Sequence, residues 1–172
     1  MTKTLLDDAI GHHVWASEAL MTACAALTAE QLGTPCSGTY GSIIATLRHL
    51  VASDRWYLSF FPQGAQLQPM DDEDEIGLDE LVTEMTRNGA AWSALLATGP
   101  DGETDVPETD GGWVFHAPLG FRLAQVVHHG TDHRSQVCTA LTGLGIEPPD
   151  IDVWKYGEET GRTSAVRSEA TS

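Results

Sequence analysis

Residues 127–136 read Val-His-His-Gly-Thr-Asp-His-Arg-Ser-Gln, and they contain the pattern His-x-x-x-His. The pattern lies within a longer run, from about Phe121 to Leu144, whose apolar residues recur every three or four positions. This period predicts an amphipathic helix. On a helix, side chains four residues apart lie on one face, with their Cβ atoms about 6 Å apart. His129 and His133 are therefore predicted to aim their imidazoles at one point, where they could chelate a divalent metal.

A metal site needs a third ligand, because isolated His-x-x-x-His pairs often arise by chance. The best candidate is His49, which lies in another predicted helix at the edge of the apolar stripe formed by Ile44, Leu47 and Val51. If the two helices pack together, all three imidazoles can meet in one groove. The alternative is that His49 is a hydrogen-bonded histidine of the core, the commoner role of a single histidine on an apolar face.

The combined pattern resembles a known family. A histidine in the second helix, followed by His-x-x-x-His-Arg-x-Gln in the fourth, is similar to the DinB/YfiT-like proteins, which are regarded as metal-dependent enzymes. The stretch His13–Leu20, with Trp-Ala near its start, resembles the family's first helix, and Trp56 stands where an aromatic residue often follows the histidine. Ser135 stands where the family usually has glycine. The resemblance extends over about residues 4–157.

This resemblance implies a metal site with His49, His129 and His133 as ligands. Neutral imidazoles suit zinc or nickel, and also ferrous iron, better than magnesium or calcium. Three protein ligands leave a coordination position open, as catalytic sites do, whereas structural zinc is usually closed by four protein ligands. His128 projects about 100° away from His129 on a helix and is predicted to lie outside the site.

The chain is predicted to be an all-α four-helix bundle of the DinB/YfiT-like type, with its site between facing helices. Apolar periodicity predicts four long helices and a short docking helix: about 5–27, from Ser42 to before Pro62, 78–97, from about 118–120 to Gly143 or Gly145, and about 153–156. The pair Asn88-Gly89 interrupts the third pattern. Residues 1–157 are predicted to form one domain, and residues 158–172, which lack apolar periodicity, a mobile tail.

Two connections have unusual composition. The long loop Gly99–Gly120, between helices three and four, contains an apolar patch at 113–116. It is predicted either to fold over the mouth of the groove, with a short hairpin, or simply to pack against the bundle. The acidic run at 70–75 lacks the glycine and the final glutamate of an EF-hand. It is interpreted as a solvated segment before a helix, where acidic residues are favourable.

Composition excludes several classes of protein. The chain has 172 residues and a formal net charge of −16, which argues against binding to nucleic acid. It lacks a run of about 18 apolar residues, so no membrane span is expected. The N-terminal residues do not resemble a signal peptide, and a cytoplasmic location is therefore expected. Cys24, Cys36 and Cys138 are widely spaced and are predicted to be reduced thiols.

Several members of the resembled family use a low-molecular-weight thiol; they include bacillithiol S-transferases and mycothiol-dependent maleylpyruvate isomerases. The resemblance thus implies a metal-dependent thiol transferase or isomerase that acts on a small electrophile, with a thiol such as mycothiol as cofactor. It also implies a homodimer. Two alternatives stay open: a metal-dependent hydrolase, and a non-catalytic, stress-related dimeric bundle that binds metal.

Other polar residues near the motifs have secondary roles in this interpretation. They are His12 and His13 (capping, surface or groove), His116 (substrate contact), Gln125 and Gln136 (orientation of ligands), Arg134 (anion binding or an ion pair) and Asp54 (surface or ligand orientation).

Overall fold

A computed structural model describes residues 5–35 and 40–166 of the chain. Its elements are α1 (Leu5–Cys24), α2 (Ala29–Gly33), α3 (Ile43–Leu58), α4 (Leu78–Ala97), β1 (Glu108–Asp110), β2 (Trp113–Phe115), α5 (Leu119–Gly143) and α6 (Val153–Glu159). The four long helices form a closed ring, in which α1 and α3 each pack against both α4 and α5. The predicted all-α four-helix bundle, with its short C-terminal helix and long connection, is confirmed.

The ends of the helices follow the signals in the sequence. Ser42 is the N-cap of α3, and its side chain accepts a hydrogen bond from the backbone N–H of Ala45 at 3.2 Å. Pro118 precedes α5, and the helix ends at Gly143, shortly before Gly145 with its φ of +73°. The short α2, which the periodicity did not predict, begins with a capping box, a local pattern that can stabilise a single turn.

Helix α4 runs through Asn88-Gly89, as the predicted range 78–97 requires, although the pair interrupts the apolar pattern. Both residues serve contacts between helices. Asn88 is fully buried; its Oδ1 accepts from Arg55 Nε at 2.6 Å, and its Nδ2 donates to Val51 O at 3.2 Å. A Cβ atom at Gly89 would lie 2.7 Å from Val14 Cγ1, so the glycine allows α1 to approach α4 closely. These contacts outweigh the low helix propensity of the pair.

The connection between α4 and α5 contains a small hairpin. Strands β1 and β2 pair antiparallel, with Glu108 opposite Phe115. Gly111 and Gly112 make the turn with φ values of +53° and +82°, a backbone conformation that glycine adopts without steric cost. The apolar side chains of β2 are exposed to solvent: Trp113 (72%), Val114 (55%) and Phe115 (52%).

The segment after α5 packs against α1. Tyr156 of α6 lies against Trp15 with ring centroids 5.6 Å apart, and Arg162 donates to Asp8 at 2.8 and 2.5 Å. Residues 167–172 of the predicted tail lie outside the described residues, and the domain boundary at residue 157 stays a prediction. Cys24 and Cys138 are free thiols, whereas Cys36 also lies outside the described residues. No helix in the described parts of the chain combines the length and apolarity needed to cross a membrane.

Candidate metal centre

Three histidine side chains converge between α3 and α5. His49 comes from α3, and His129 and His133 lie one turn apart on α5. Nε2 of His129 is 3.2 Å from Nε2 of His49 and 3.1 Å from Nε2 of His133. The ligand atoms that the three residues offer all lie within 4.8 Å of one another. The structure thus brings together all three histidines chosen from the sequence, and within residues 5–35 and 40–166 this metal-ligating group has no fourth member.

In His49 and His133, the ring nitrogen that points away from the cluster forms a hydrogen bond. This bond determines whether the nitrogen that faces the cluster carries a hydrogen or a lone pair. Nδ1 of His49 is 2.8 Å from Asp72 Oδ2, and since a carboxylate can only accept, this nitrogen donates. Nδ1 of His133 donates in the same way to Gln136 Oε1 at 2.8 Å. In the neutral rings the Nε2 atoms of His49 and His133 therefore carry no hydrogen.

This arrangement suits a cation. His129 can place at most one hydrogen among the three converging nitrogens, so at least two lone pairs face the centre. Nitrogens bound to one tetrahedral zinc at about 2.0–2.1 Å lie about 3.3 Å apart. The separations of 3.1 and 3.2 Å around His129 are close to that value. The donor set and its spacing both fit a divalent transition metal, and Asp72 and Gln136 orient two of the donors, as partners of metal-bound histidines usually do.

The surroundings keep His129 and His133 neutral near pH 7. Burial, followed by the nearby rings of His133 and His49, lowers the pKa of His129 from 6.5 to about 4. Burial also lowers the pKa of His133, and this effect is opposed by the hydrogen bond that His133 donates to Gln136. Both rings can therefore offer lone pairs at neutral pH without first losing a proton.

A pH dependence of stability follows for the metal-free protein. The pKa of His129 is about 4 when folded and near 6.5 in an exposed chain, so the unfolded state binds more protons between these values. We expect the stability that neutral His129 contributes to the folded state to be fully present above about pH 6.5. This part of the free energy of unfolding should be lost as the pH falls towards about 4. Urea unfolding in the presence of chelator, repeated across this range, measures it. His129→Gln should show a weaker pH dependence than the parent, and equal dependence in both would contradict the assignment.

Two side chains that the sequence did not predict complete the surroundings of the cluster. Tyr40 stacks on His49, with ring centroids 3.8 Å apart and an interplanar angle of 18°, and its hydroxyl donates to Asp72 at 2.8 Å. Asp72 belongs to the acidic run at 70–75, which the sequence predicts to be a solvated segment. Its side chain is 30% exposed, but its carboxylate also binds His49 and Tyr40, a role that the sequence did not predict. Both residues lie in connections between helices, and no local pattern in the sequence indicates that these connections fold back over α3.

A cavity of about 230 Å³ opens beside His49. Ser53 lines it, and its hydroxyl oxygen lies 3.4 Å from His49 Nε2, the nitrogen that faces the cluster. Trp56, Met70, Asp71 and other side chains complete the walls. A small molecule can therefore reach His49 of the candidate metal centre from this side.

Replacing Asp72 with asparagine should weaken metal binding without disturbing the fold. The amide is nearly isosteric, but it is uncharged and holds the Nδ1 proton of His49 less strongly than a carboxylate does. We expect metal affinity to fall by about 10–100-fold, the range found for partners of metal-bound histidines. Asp71→Asn is the matched control, since Asp71 instead accepts from the backbone of Glu73 at 2.9 Å. Titration with zinc against a competing chelator measures both, and equal losses would contradict the role of Asp72.

Residues 1–165 match the profile of the DinB family. The chain belongs to the DinB family. Among solved structures it is similar to YfiT from Bacillus subtilis, described as a probable metal-dependent hydrolase with an unusual four-helix bundle topology. The two chains are 20% identical and superpose with a TM-score of 0.65, over 86% of this chain and 91% of that one. At this identity the similarity establishes the fold. No sequence among curated proteins matches the chain.

A buried polar network crosses the bundle of this DinB-family protein. Arg134 of α5 donates to Nδ1 of His13 on α1 at 3.0 Å. His13 Nε2 donates to Asp54 Oδ1 on α3 at 3.1 Å, and the same oxygen accepts from Trp92 Nε1 on α4 at 2.9 Å. The four residues are at most 3% exposed. A surface position, one of the alternatives for His13 and for Asp54, is wrong, because both side chains are buried and bind each other inside the protein. The other carboxylate oxygen of Asp54, Oδ2, is buried without a hydrogen-bond partner among the described residues.

This network separates two apolar clusters. One lies towards the C-terminal ends of α1 and α5 and contains Leu20, Leu47, Met85 and Leu141 among its members. The other lies towards the opposite ends of the same helices and contains Ile10, Leu58, Trp92 and Leu123. On each of the four long helices, the residue that belongs to the network lies at or near the boundary between the two clusters. Its polar contacts therefore fix the rotation of that helix about its axis. On α5 this rotation determines the direction in which the histidines point.

The remaining secondary candidates have varied positions. Arg134 has no direct carboxylate partner among the described residues. Besides His13 it donates to Ser17 at 3.2 Å and to Thr131 at 3.2 Å, which makes its role structural. His12 contacts Ile151 O at 2.8 Å. Three candidates are exposed: His116, which donates to Asp105 at 2.7 Å, Gln125 and His128. Of the secondary candidates named from the sequence, Gln136 is the one that hydrogen-bonds a histidine of the cluster.

Proposed function

We propose that this protein is a metal-dependent enzyme in which His49, His129 and His133 hold one divalent transition metal. Zinc or nickel suits the nitrogen donors best, with iron as an alternative. The observation that carries the proposal is the convergence of three Nε2 atoms that share at most one hydrogen. Because all three ligands are neutral, a bound divalent metal would supply a Lewis acid of undiminished charge that lowers the pKa of a water or thiol.

The protein side chains perform the positioning. Asp72 and Gln136 accept the Nδ1 protons of two histidines and so keep both Nε2 lone pairs directed inwards. Tyr40 covers one face of His49 and shields it from water. Ser53 offers a hydroxyl beside His49 Nε2, where it can hydrogen-bond a substrate in the cavity. The cluster is thus preorganised, with its hydrogen bonds in place before substrate binds.

We propose further that the nucleophile is a thiol, and that the protein is a transferase or isomerase acting on a small electrophile with a thiol such as mycothiol. The relative acidity of the two possible nucleophiles supports this choice. A free thiol has a pKa of about 8.5 and bulk water one of about 15.7, so a metal converts a bound thiol to its anion more completely than a bound water.

A metal-dependent hydrolase is the second candidate. The similarity to YfiT, described as a probable metal-dependent hydrolase, favours it. The cavity of about 230 Å³ beside His49 can also admit a water molecule together with a small substrate.

Metal analysis of the purified protein, followed by two assays, tests the proposal. Conjugation of mycothiol to 1-chloro-2,4-dinitrobenzene reports thiol transfer, and hydrolysis of 4-nitrophenyl acetate reports activation of water. We expect a stoichiometric metal, conjugation that stops when the metal is removed by chelation, and recovery when zinc or nickel is restored. Hydrolysis without any conjugation would favour the second candidate. A bound metal with neither activity would favour a non-catalytic metal-binding bundle.

We also propose that the protein is a homodimer, as the family resemblance implies. Large apolar side chains are exposed at two places, Trp113 and Phe121 near the hairpin and Trp154 on α6, with exposures of 72%, 66% and 73%. A symmetric contact between two copies would cover one of these surfaces. Light scattering at micromolar concentrations should give twice the chain mass of 18.5 kDa, and a monomer mass throughout would refute the proposal. The cytoplasmic location stays a prediction.

A further inference from the structure

The cavity beside the histidine cluster continues along α3. A second cavity, of about 430 Å³, shares Trp56 and Met70 with the first as lining residues. On the α3 side the two are lined successively by His49, Trp56 and Ser59. Ten helical residues span about 15 Å. The opposite wall is the segment 64–72, which follows α3. The two cavities form an elongated groove, called the α3 groove below, with His49 of the histidine cluster at one end.

The walls of the α3 groove are mostly apolar. Trp56 is 45% exposed at the junction of the cavities, and its ring contacts Phe60 and Tyr57 edge-on at centroid distances of 4.9 Å each. The second cavity is lined further by Leu67, Pro69 and other small or apolar residues. Aromatic and aliphatic surface of this kind favours an apolar ligand, since its burial removes apolar area from water on both sides.

The charges along the groove exclude an anionic ligand at its far end. Among the described residues, Arg55 is the one arginine or lysine that lines either cavity, and it is 4% exposed and fully engaged. Its guanidinium donates to Asn88, to the carbonyl of Gln68 and to Glu84, each at 2.6 Å. Near the histidines the lining includes two carboxylates, of Asp71 and Asp72. Within the part of the chain that the structure describes, the groove therefore offers no free cation to pair with a carboxylate or phosphate on a ligand.

We propose that the α3 groove binds the uncharged apolar tail, alkyl or aryl, of a substrate whose reactive end lies at the three histidines. The proposal rests on the metal-dependent function proposed above, and it adds the class of substrate. Trp56 is the specificity-determining residue, because it lies where the tail passes from the first cavity into the second.

A series of hydroxamates tests this with the zinc-loaded, full-length protein. Acetohydroxamate probes the metal alone, octanohydroxamate adds an alkyl tail, and the eight-carbon analogue that ends in a carboxylate adds a charge. Calorimetry should show octanohydroxamate binding at least about 30-fold more tightly than acetohydroxamate, since several methylenes are partly buried. The carboxylate-ended analogue should lose most of this gain. Trp56→Ala should reduce the gain to about threefold or less, whereas Trp113→Ala, which removes an exposed tryptophan elsewhere, should preserve it.

Two failures can be told apart. If acetohydroxamate binds only with zinc but the alkyl tail adds no affinity, or adds it equally in Trp56→Ala, the groove proposal is overturned and the metal site stands. If neither zinc nor acetohydroxamate binds, the proposed function fails. The indole N–H signal of Trp56 in the metal-free protein then decides the groove separately: a shift on addition of 1-octanol supports it, and no shift overturns it.

Discussion

Replacing His129 with alanine is expected to abolish metal binding and turnover. His129 is the central member of the cluster, because its Nε2 lies 3.2 and 3.1 Å from those of His49 and His133. Its loss leaves two imidazoles from different helices, with no ligand between them. Metal affinity should fall by more than about 100-fold, which is the upper range for losing a mere hydrogen-bonding partner of a ligand. Competition with a chelator and metal analysis of the purified variant measure the change.

The same substitution should remove the stabilisation that the metal provides. A metal that binds only the folded state, present at about 100 times its dissociation constant, raises the free energy of unfolding by about 2.7 kcal/mol. The parent should gain this stability with zinc, and His129→Ala should gain almost none. His128→Ala is the matched control, because His128 is the adjacent residue but is exposed. Equal loss of metal in both variants would show that the ligand is misassigned.

The parts of the fold that could be predicted from the sequence depend on short-range regularities. The 3.6-residue period locates the long helices, and a helical turn brings His129 and His133 together without any tertiary information. The choice of His49 needed more, namely that α3 packs against α5, and it drew on the family resemblance. With that packing, the meeting of three histidines could be predicted, but the hydrogen bonds that orient their rings could not.

The residues that were misread have partners far away in the chain. Tyr40 and Asp72 lie in connections whose paths depend on packing, and nothing in a run of acidic residues distinguishes the one that binds His49. For His13 and Asp54 a surface position was among the alternatives, and it is the usual position of ionisable side chains. Both are buried, and Arg134 and Trp92, from two further helices, bind them there. Such a network is a property of the assembled bundle.

Replacing Gly130 with alanine is expected to be strongly destabilising, although alanine is the better helix former. A Cβ atom at this position would lie 2.4 Å from both Cε1 and Nδ1 of His13, and 2.9 Å from an Arg134 nitrogen. His13 is held by Asp54 and Arg134 and cannot turn away without breaking a buried hydrogen bond. Overpacking and an unpaired buried group together should outweigh the helix propensity gain of about 1 kcal/mol, lowering the free energy of unfolding by about 2–4 kcal/mol.

Gly143→Ala isolates this steric effect from the general consequence of removing a glycine. Gly143 lies in the same helix, and a Cβ atom there would meet nothing within 4 Å. It should be neutral or stabilising by up to about 1 kcal/mol. Urea unfolding of both variants without metal measures the difference in their free energies of unfolding. Zinc titration of the same variants then measures their metal affinity. Since Gly130 immediately follows His129, a shift of α5 away from α1 should also weaken zinc binding. Equal stability of the two variants would mean that the close approach of His13 to α5 does not hold the helices in register.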